Sequence, residues 1–116
     1  MKNILVIDDE QVIVDTISII LEDMGINVTG AINADDGIKL ALDNDYDLIL
    51  TDIRMPEKSG ADVAKEVISN KPHARVLIIT AYPSDPLAKE ALEAGAISLL
   101  KKPFEISKIL DYLQES

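Results

Sequence analysis

Short apolar runs, each followed by a stretch with helical spacing, restrict this chain more than any other feature. The runs ILVI before Asp8-Asp9, LIL-Thr before Asp52, VLII before Thr80 and ISLL before Lys101-Lys102-Pro103 contain almost no polar residue until they stop. Such a run reads as a strand covered on both faces, because a strand with one wet face would alternate. The pattern predicts a strand from Asn3 to Asp8, then a helix with Val12, Ile13, Ile17, Ile20, Leu21 and Met24 on its apolar side and Gly25 as its stop. A β-branched run from Ile26 to Ala31 supplies the second strand, and Asn33 caps a helix that carries Ile38, Ala41 and Leu42. Asp47 to Thr51 is the third strand. After a loop with Pro56 and Gly60, Val63, Ala64, Val67 and Ile68 mark a third helix. Arg75 to Thr80 and Ile97 to Leu100 are the fourth and fifth strands. The helix between them opens at Ser84-Asp85-Pro86 and closes at Gly95, and Ile106, Ile109, Leu110 and Leu113 form the stripe of the last helix.

Five strands alternating with five helices imply an α/β doubly wound sheet, with parallel pairing through right-handed crossovers and helices on both faces. Ligands of such open sheets bind outside the carboxyl ends of the strands. All four polar stops are carboxyl ends, so Asp8, Asp9, Asp52, Thr80 and the lysine pair are expected at one edge.

At 116 residues the chain is expected to form a single domain, 1–116. No apolar stretch approaches the ~20 residues of a bilayer span, so neither a membrane segment nor a signal peptide is expected, and cytoplasmic residence follows by default. A formal charge of −10 argues against direct nucleic-acid binding, which needs Lys and Arg to neutralise phosphates. With no cysteine and one histidine, His73, zinc sites of the usual kinds are excluded.

Gathering three carboxylates is costly: two unit charges about 4 Å apart repel by about 4 kcal/mol at an effective dielectric of about 20. A cation among Asp8, Asp9 and Asp52 would relieve this. Hard oxygen donors select Mg²⁺, Mn²⁺ or Ca²⁺, and a site with few carboxylates is typical of Mg²⁺. Asp52 stands alone at the end of a buried run and suits nucleophilic attack on phosphorus, while adjacent Asp8 and Asp9 suit metal. Thr80 supplies a hydroxyl, and Lys101 or Lys102 an ammonium; with charge neutralisation and positioning, phosphoryl transfer needs little more.

The strings LVIDDE, LILTDIRMP, LIITAY and GAISLLKKPF, in this order and spacing, resemble the receiver (CheY-like) domain of two-component response regulators, and the resemblance covers essentially the whole chain. It implies a flavodoxin-like (βα)5 fold with strand order 2-1-3-4-5. It further implies Asp52 as phosphoacceptor for a sensor histidine kinase or phosphotransfer protein, and Mg²⁺, with Mn²⁺ as a substitute, on Asp8, Asp9, Asp52 and the backbone carbonyl of Arg54. Thr80 would bind the phosphoryl group and move, Lys102 (favoured over Lys101 by the KPF match) would pair with it, and the Lys102-Pro103 bond would be cis. Leu99 stands where members usually carry Tyr or Phe, so the switch is expected to run through Thr80 and a smaller repacking of Leu99. Arg54, Ala81 and Tyr82 are expected to tune phosphate lifetime, Arg54 and Tyr82 by overhanging the site.

The expected output is protein contact, to a downstream target or to a covalently attached output domain, with homodimerisation through the fourth helix, fifth strand and fifth helix. The chain is then a switch with only self-phosphorylation and self-dephosphorylation chemistry. Two rivals are a Mg²⁺-dependent phosphatase with an Asp nucleophile, which wants an acid two residues after it, and a flavin or nucleotide carrier, which wants a glycine-rich phosphate loop. The position two residues after Asp52 is Arg54, and no glycine-rich phosphate loop follows the first strand.

Overall fold

In the computed structural model, which describes residues 2–114, ten elements alternate along the chain. They are β1 (Asn3–Ile7), α1 (Gln11–Asp23), β2 (Asn27–Ala31), α2 (Ala34–Asp43), β3 (Leu48–Asp52), α3 (Gly60–Asn70), β4 (Val76–Thr80), α4 (Pro86–Glu93), β5 (Ser98–Lys101) and α5 (Ile106–Gln114). The strands pair in parallel, as the doubly wound reading requires, in the order β2-β1-β3-β4-β5 that the resemblance implies. Strand limits lie within a residue or two of those expected from the apolar runs. Asp8 falls just outside β1, and Asp52 is drawn into β3 by its pairing with Ile79.

The unbroken runs have a simple cause. In β1, Ile4 and Val6 pack with Leu48, Leu50 and Leu77 under α1 and α5, whereas Leu5 and Ile7 pack with Ile49, Val76 and Ile78 under α2 and α3. Both faces are therefore dry, and each large side chain buried there contributes about 1.5–3 kcal/mol. Helix ends follow local chemistry. Asn33 and Ser59 accept from the backbone N–H groups of Asp36 and Asp62, the latter in a full capping box. Gly25 and Gly95 take φ of 83° and 113° just beyond α1 and α4, the left-handed conformation that ends a helix.

The chain runs from β1 outward to β2, then returns past β1 to β3, so the winding reverses between β1 and β3. Ile7 is in register with Thr51. One step further on, Asp8 and Asp52 emerge side by side at this reversal.

Candidate functional site

Asp8, although charged, is fully buried, and Asp52 retains only 8% of its exposure. One carboxylate oxygen from each of Asp8, Asp9 and Asp52 lies within 4.8 Å of the others. Such crowding needs positive charge. Lys102 supplies part of it, its Nζ donating to Asp8 Oδ2 at 3.0 Å and lying 3.6 Å from Asp52 Oδ1. Thr80 is in register with Lys101, and its carbonyl accepts from the Lys102 N–H at 2.8 Å, which carries the ladder one residue past β5. Lys102 is thereby aimed into the pocket, while Lys101 is exposed. Of the two lysines it is Lys102 whose ammonium meets the acids, as the alternation of side chains along a strand directs. The following Lys102-Pro103 peptide is cis.

The electrostatics follow from the geometry. Burial, reinforced by neighbouring Asp8, raises Asp52 from the ordinary carboxylate value of 3.8 to about 6, against the pull of Lys102 and the Ile53 N–H. Burial alone would lower Lys102, but its hydrogen bond to Asp8 and the charges of Asp52 and Asp8 outweigh this, and its pKa is raised. Three carboxylates and one ammonium leave two negative charges. A hard divalent cation matches both that charge and the all-oxygen donor set. Asp8 Oδ1 is held by the Glu10 N–H at 3.0 Å, whereas Asp9 is exposed beside it.

Asp52 Oδ1 accepts from the Ile53 N–H at 2.9 Å, and Oδ2 takes no hydrogen bond among the described residues. Across the site, Thr80 is buried at the end of β4, and its hydroxyl oxygen accepts from the Tyr82 N–H at 3.0 Å. Leu99 is half-buried against the α2/α3/α4 side of the core. The side chains expected to overhang the site lie otherwise: Tyr82 is 71% exposed, and the Arg54 guanidinium makes a two-pronged pair with Asp85, Nε to Oδ2 at 2.6 Å and Nη2 to Oδ1 at 2.9 Å. In the sequence Asp85 carries only the signal of a helix start before Pro86.

Gly60 lies against the end of the phosphoacceptor candidate's strand. A side chain there would run into the Asp52 backbone carbonyl, so α3 begins pressed against the end of β3. Among the described residues no helix is long and apolar enough to cross a membrane.

Comparison with known proteins gives a consistent result. A family model described as the response regulator receiver domain matches residues 4–114. A response regulator receiver protein from Anaeromyxobacter is 34% identical over 96% of this chain and 47% of its own length. The chain spans between 24% and 53% of the length of curated relatives like this one. Among solved structures, a CheY-like receiver domain protein from Methanospirillum hungatei superposes with a TM-score of 0.92 at 29% identity, covering 99% of this chain and 95% of that one. The response regulator TrrA from Thermotoga maritima, solved in complex with Mg(2+)-BeF, gives 0.84 at 30% identity, covering 99% and 98%.

Proposed function

Since the chain belongs to the response regulator receiver domain family, we propose that it is the phosphorylation-activated receiver of a two-component system, with Asp52 as the residue that accepts the phosphoryl group. The observation that carries this assignment is the meeting of Asp8, Asp52 and Lys102, from three different strand ends, at the reversal of the winding.

Transfer from a phosphohistidine of a sensor kinase or phosphotransfer protein proceeds by attack of Asp52 Oδ2 on phosphorus. The P–N bond breaks and its electron pair stays on the imidazole. Positioning and charge neutralisation are the main requirements. Lys102 moves its donation toward a phosphoryl oxygen, and Thr80 rotates its hydroxyl from Tyr82 toward the new group. A divalent cation, Mg²⁺ or its substitute Mn²⁺, held by Asp8, Asp9, Asp52 and the Arg54 carbonyl, would neutralise charge on the phosphoryl oxygens. Return to the resting state is water attack on phosphorus with loss of the Asp52 carboxylate.

Leu99 repacks as Thr80 moves, and Arg54, Ala81 and Tyr82 set how freely water reaches the acyl phosphate. Output passes to a protein target or attached output domain, or to a second copy through α4, β5 and α5, with no direct nucleic-acid contact and in the cytoplasm. Chemistry stays confined to the chain's own carboxylate. The phosphatase reading is not favoured: the position that would carry its second acid is Arg54, and that side chain is engaged with Asp85.

Phosphotransfer from a panel of sensor kinases with Mg²⁺ tests the assignment. Wild type is expected to take label and Asp52→Ala to take none; label persisting in Asp52→Ala refutes it.

A further inference from the structure

The connection from β4 to α4 is fastened to the phosphoacceptor's surroundings at two points. At its start, Thr80 Oγ1 accepts from the Tyr82 N–H; at its end, Asp85 is gripped by Arg54 through both carboxylate oxygens. Asp85 is also the cap of α4, its Oδ1 accepting from the Leu87 N–H at 2.9 Å. One carboxylate therefore ties the first turn of a helix to a guanidinium carried only two residues from Asp52.

Apart from half-buried Leu87 and an exposed Lys65–Glu90 pair to α3, little else holds that helix. α4 has eight residues, too few for stability alone, and the side chains it buries fully are two alanines, Ala88 and Ala91. By comparison α1 buries Val14, Ile17 and Leu21. Elements with so little buried apolar surface open first.

We propose that Arg54 and Asp85 form a latch that holds α4 in the resting position, and that a phosphoryl group on Asp52 opens it by drawing the guanidinium away. The proposal rests on the receiver reading above and adds this chain's own means of signalling with Leu99 in place of an aromatic. A phosphoryl group offers Arg54 three acceptor oxygens and up to two negative charges, against the single charge of Asp85. The Arg54 side chain is 65% exposed and the Asp85 side chain only 6%, so the guanidinium, not the carboxylate, is the end of the pair free to leave. Opening leaves the α4 cap unanchored while Thr80 releases Tyr82 at the other end of the same segment, so one event loosens both fasteners. Once moved, the guanidinium covers the acyl phosphate from water.

Amide hydrogen exchange at Leu87 and Ala88 reads the latch, with beryllofluoride and Mg²⁺ standing in for the phosphoryl group and the fluorine signal of bound beryllofluoride reporting loading. Wild-type exchange is expected to quicken about tenfold on loading, more than a fully exposed ion pair would give because the Asp85 end is buried. Asp85→Asn keeps an oxygen for the Leu87 N–H but loses the charge. In that variant and in Arg54→Gln, exchange should already be fast before loading and change little after it. Loaded wild type with unchanged exchange, or free Asp85→Asn that exchanges like wild type, overturns the latch and leaves the receiver assignment standing. Absence of any fluorine signal from wild type overturns that assignment, and the release step with it.

Discussion

The ammonium of Lys102 lies 3.0 Å from Asp8 Oδ2, joining residues 94 positions apart in the chain. Asp8 is fully buried, so this contact is what makes a carboxylate tolerable there. Deleting one partner of a buried pair leaves the other charge uncompensated, which costs more than the pair itself contributes. Lys102→Met is therefore expected to destabilise the metal-free protein by about 3 kcal/mol in urea denaturation. Added Mg²⁺ should recover part of that loss by facing the same carboxylates. A variant as stable as wild type without metal would show that Asp8 is not held by Lys102.

Asp52 gives a pH dependence of definite sign. Its folded pKa, about 6, lies above the ordinary 3.8, so between those values the folded state keeps a proton that the unfolded state has lost. Stability consequently falls as pH rises through that window, and the penalty is complete above about pH 6. Asp52→Asn removes it. Allowing for solvent screening of a partly accessible group, the variant should exceed wild type by about 1–2 kcal/mol at about pH 7 and lose that advantage by about pH 3.5. Denaturation midpoints across this range decide; an advantage independent of pH would mean that Asp52 titrates normally.

Thr80 separates acceptance of the phosphoryl group from response to it. Its hydroxyl oxygen takes the Tyr82 N–H, and its carbonyl holds Lys102 through the backbone, which no side-chain change removes. Thr80→Ala should thus cost only about 1 kcal/mol of stability, the worth of one hydrogen bond. It should still accept label on Asp52, but exchange of the Tyr82 amide should no longer change on loading. Thr80→Ser should restore that change. Failure of Thr80→Ala to take any label would place the hydroxyl in the transfer step instead.

What could be read from the sequence divides along a physical line. Dry runs, helix stops and caps are local, so β1, β3 and β4, the Gly25 and Gly95 stops and the Asn33 cap follow from neighbouring residues. The assembly of Asp8, Asp52 and Lys102 also follows, because parallel register carries strand ends to one edge. The partner of Arg54 does not. Arg54 and Asp85 lie 31 residues apart on two loops, and only the path of those loops makes them meet. Between Lys101 and Lys102 strand composition alone does not choose; the KPF match favours Lys102, and the pairing of Thr80 with Lys101 turns Lys102 toward the acids. The left-handed Glu57, at φ 69°, belongs with these: its conformation is imposed by the β3–α3 loop and has no signal in residue type.

Gly60 is where that loop becomes a constraint on the site. A Cβ there would meet the backbone carbonyl of Asp52, and the Gly60 N–H donates to the Ile53 carbonyl at 2.9 Å, so helix and strand end are pinned together at main-chain level. Main-chain atoms cannot swing aside as a long side chain would, and relief must come from moving α3 or the end of β3. Overpacking of this kind costs about 1–3 kcal/mol, and Gly60→Ala should fall toward the upper end because the obstruction is backbone. Displacing the Asp52 carbonyl also displaces the carboxylate attached to the same residue, so phosphoryl acceptance should fall more than stability alone explains. Gly37→Ala is the useful comparison: its added methyl would meet side-chain atoms of Ile7 and no backbone. If Gly60→Ala and Gly37→Ala lose stability but accept label equally well per folded molecule, close approach at Gly60 serves packing alone and does not position the acceptor.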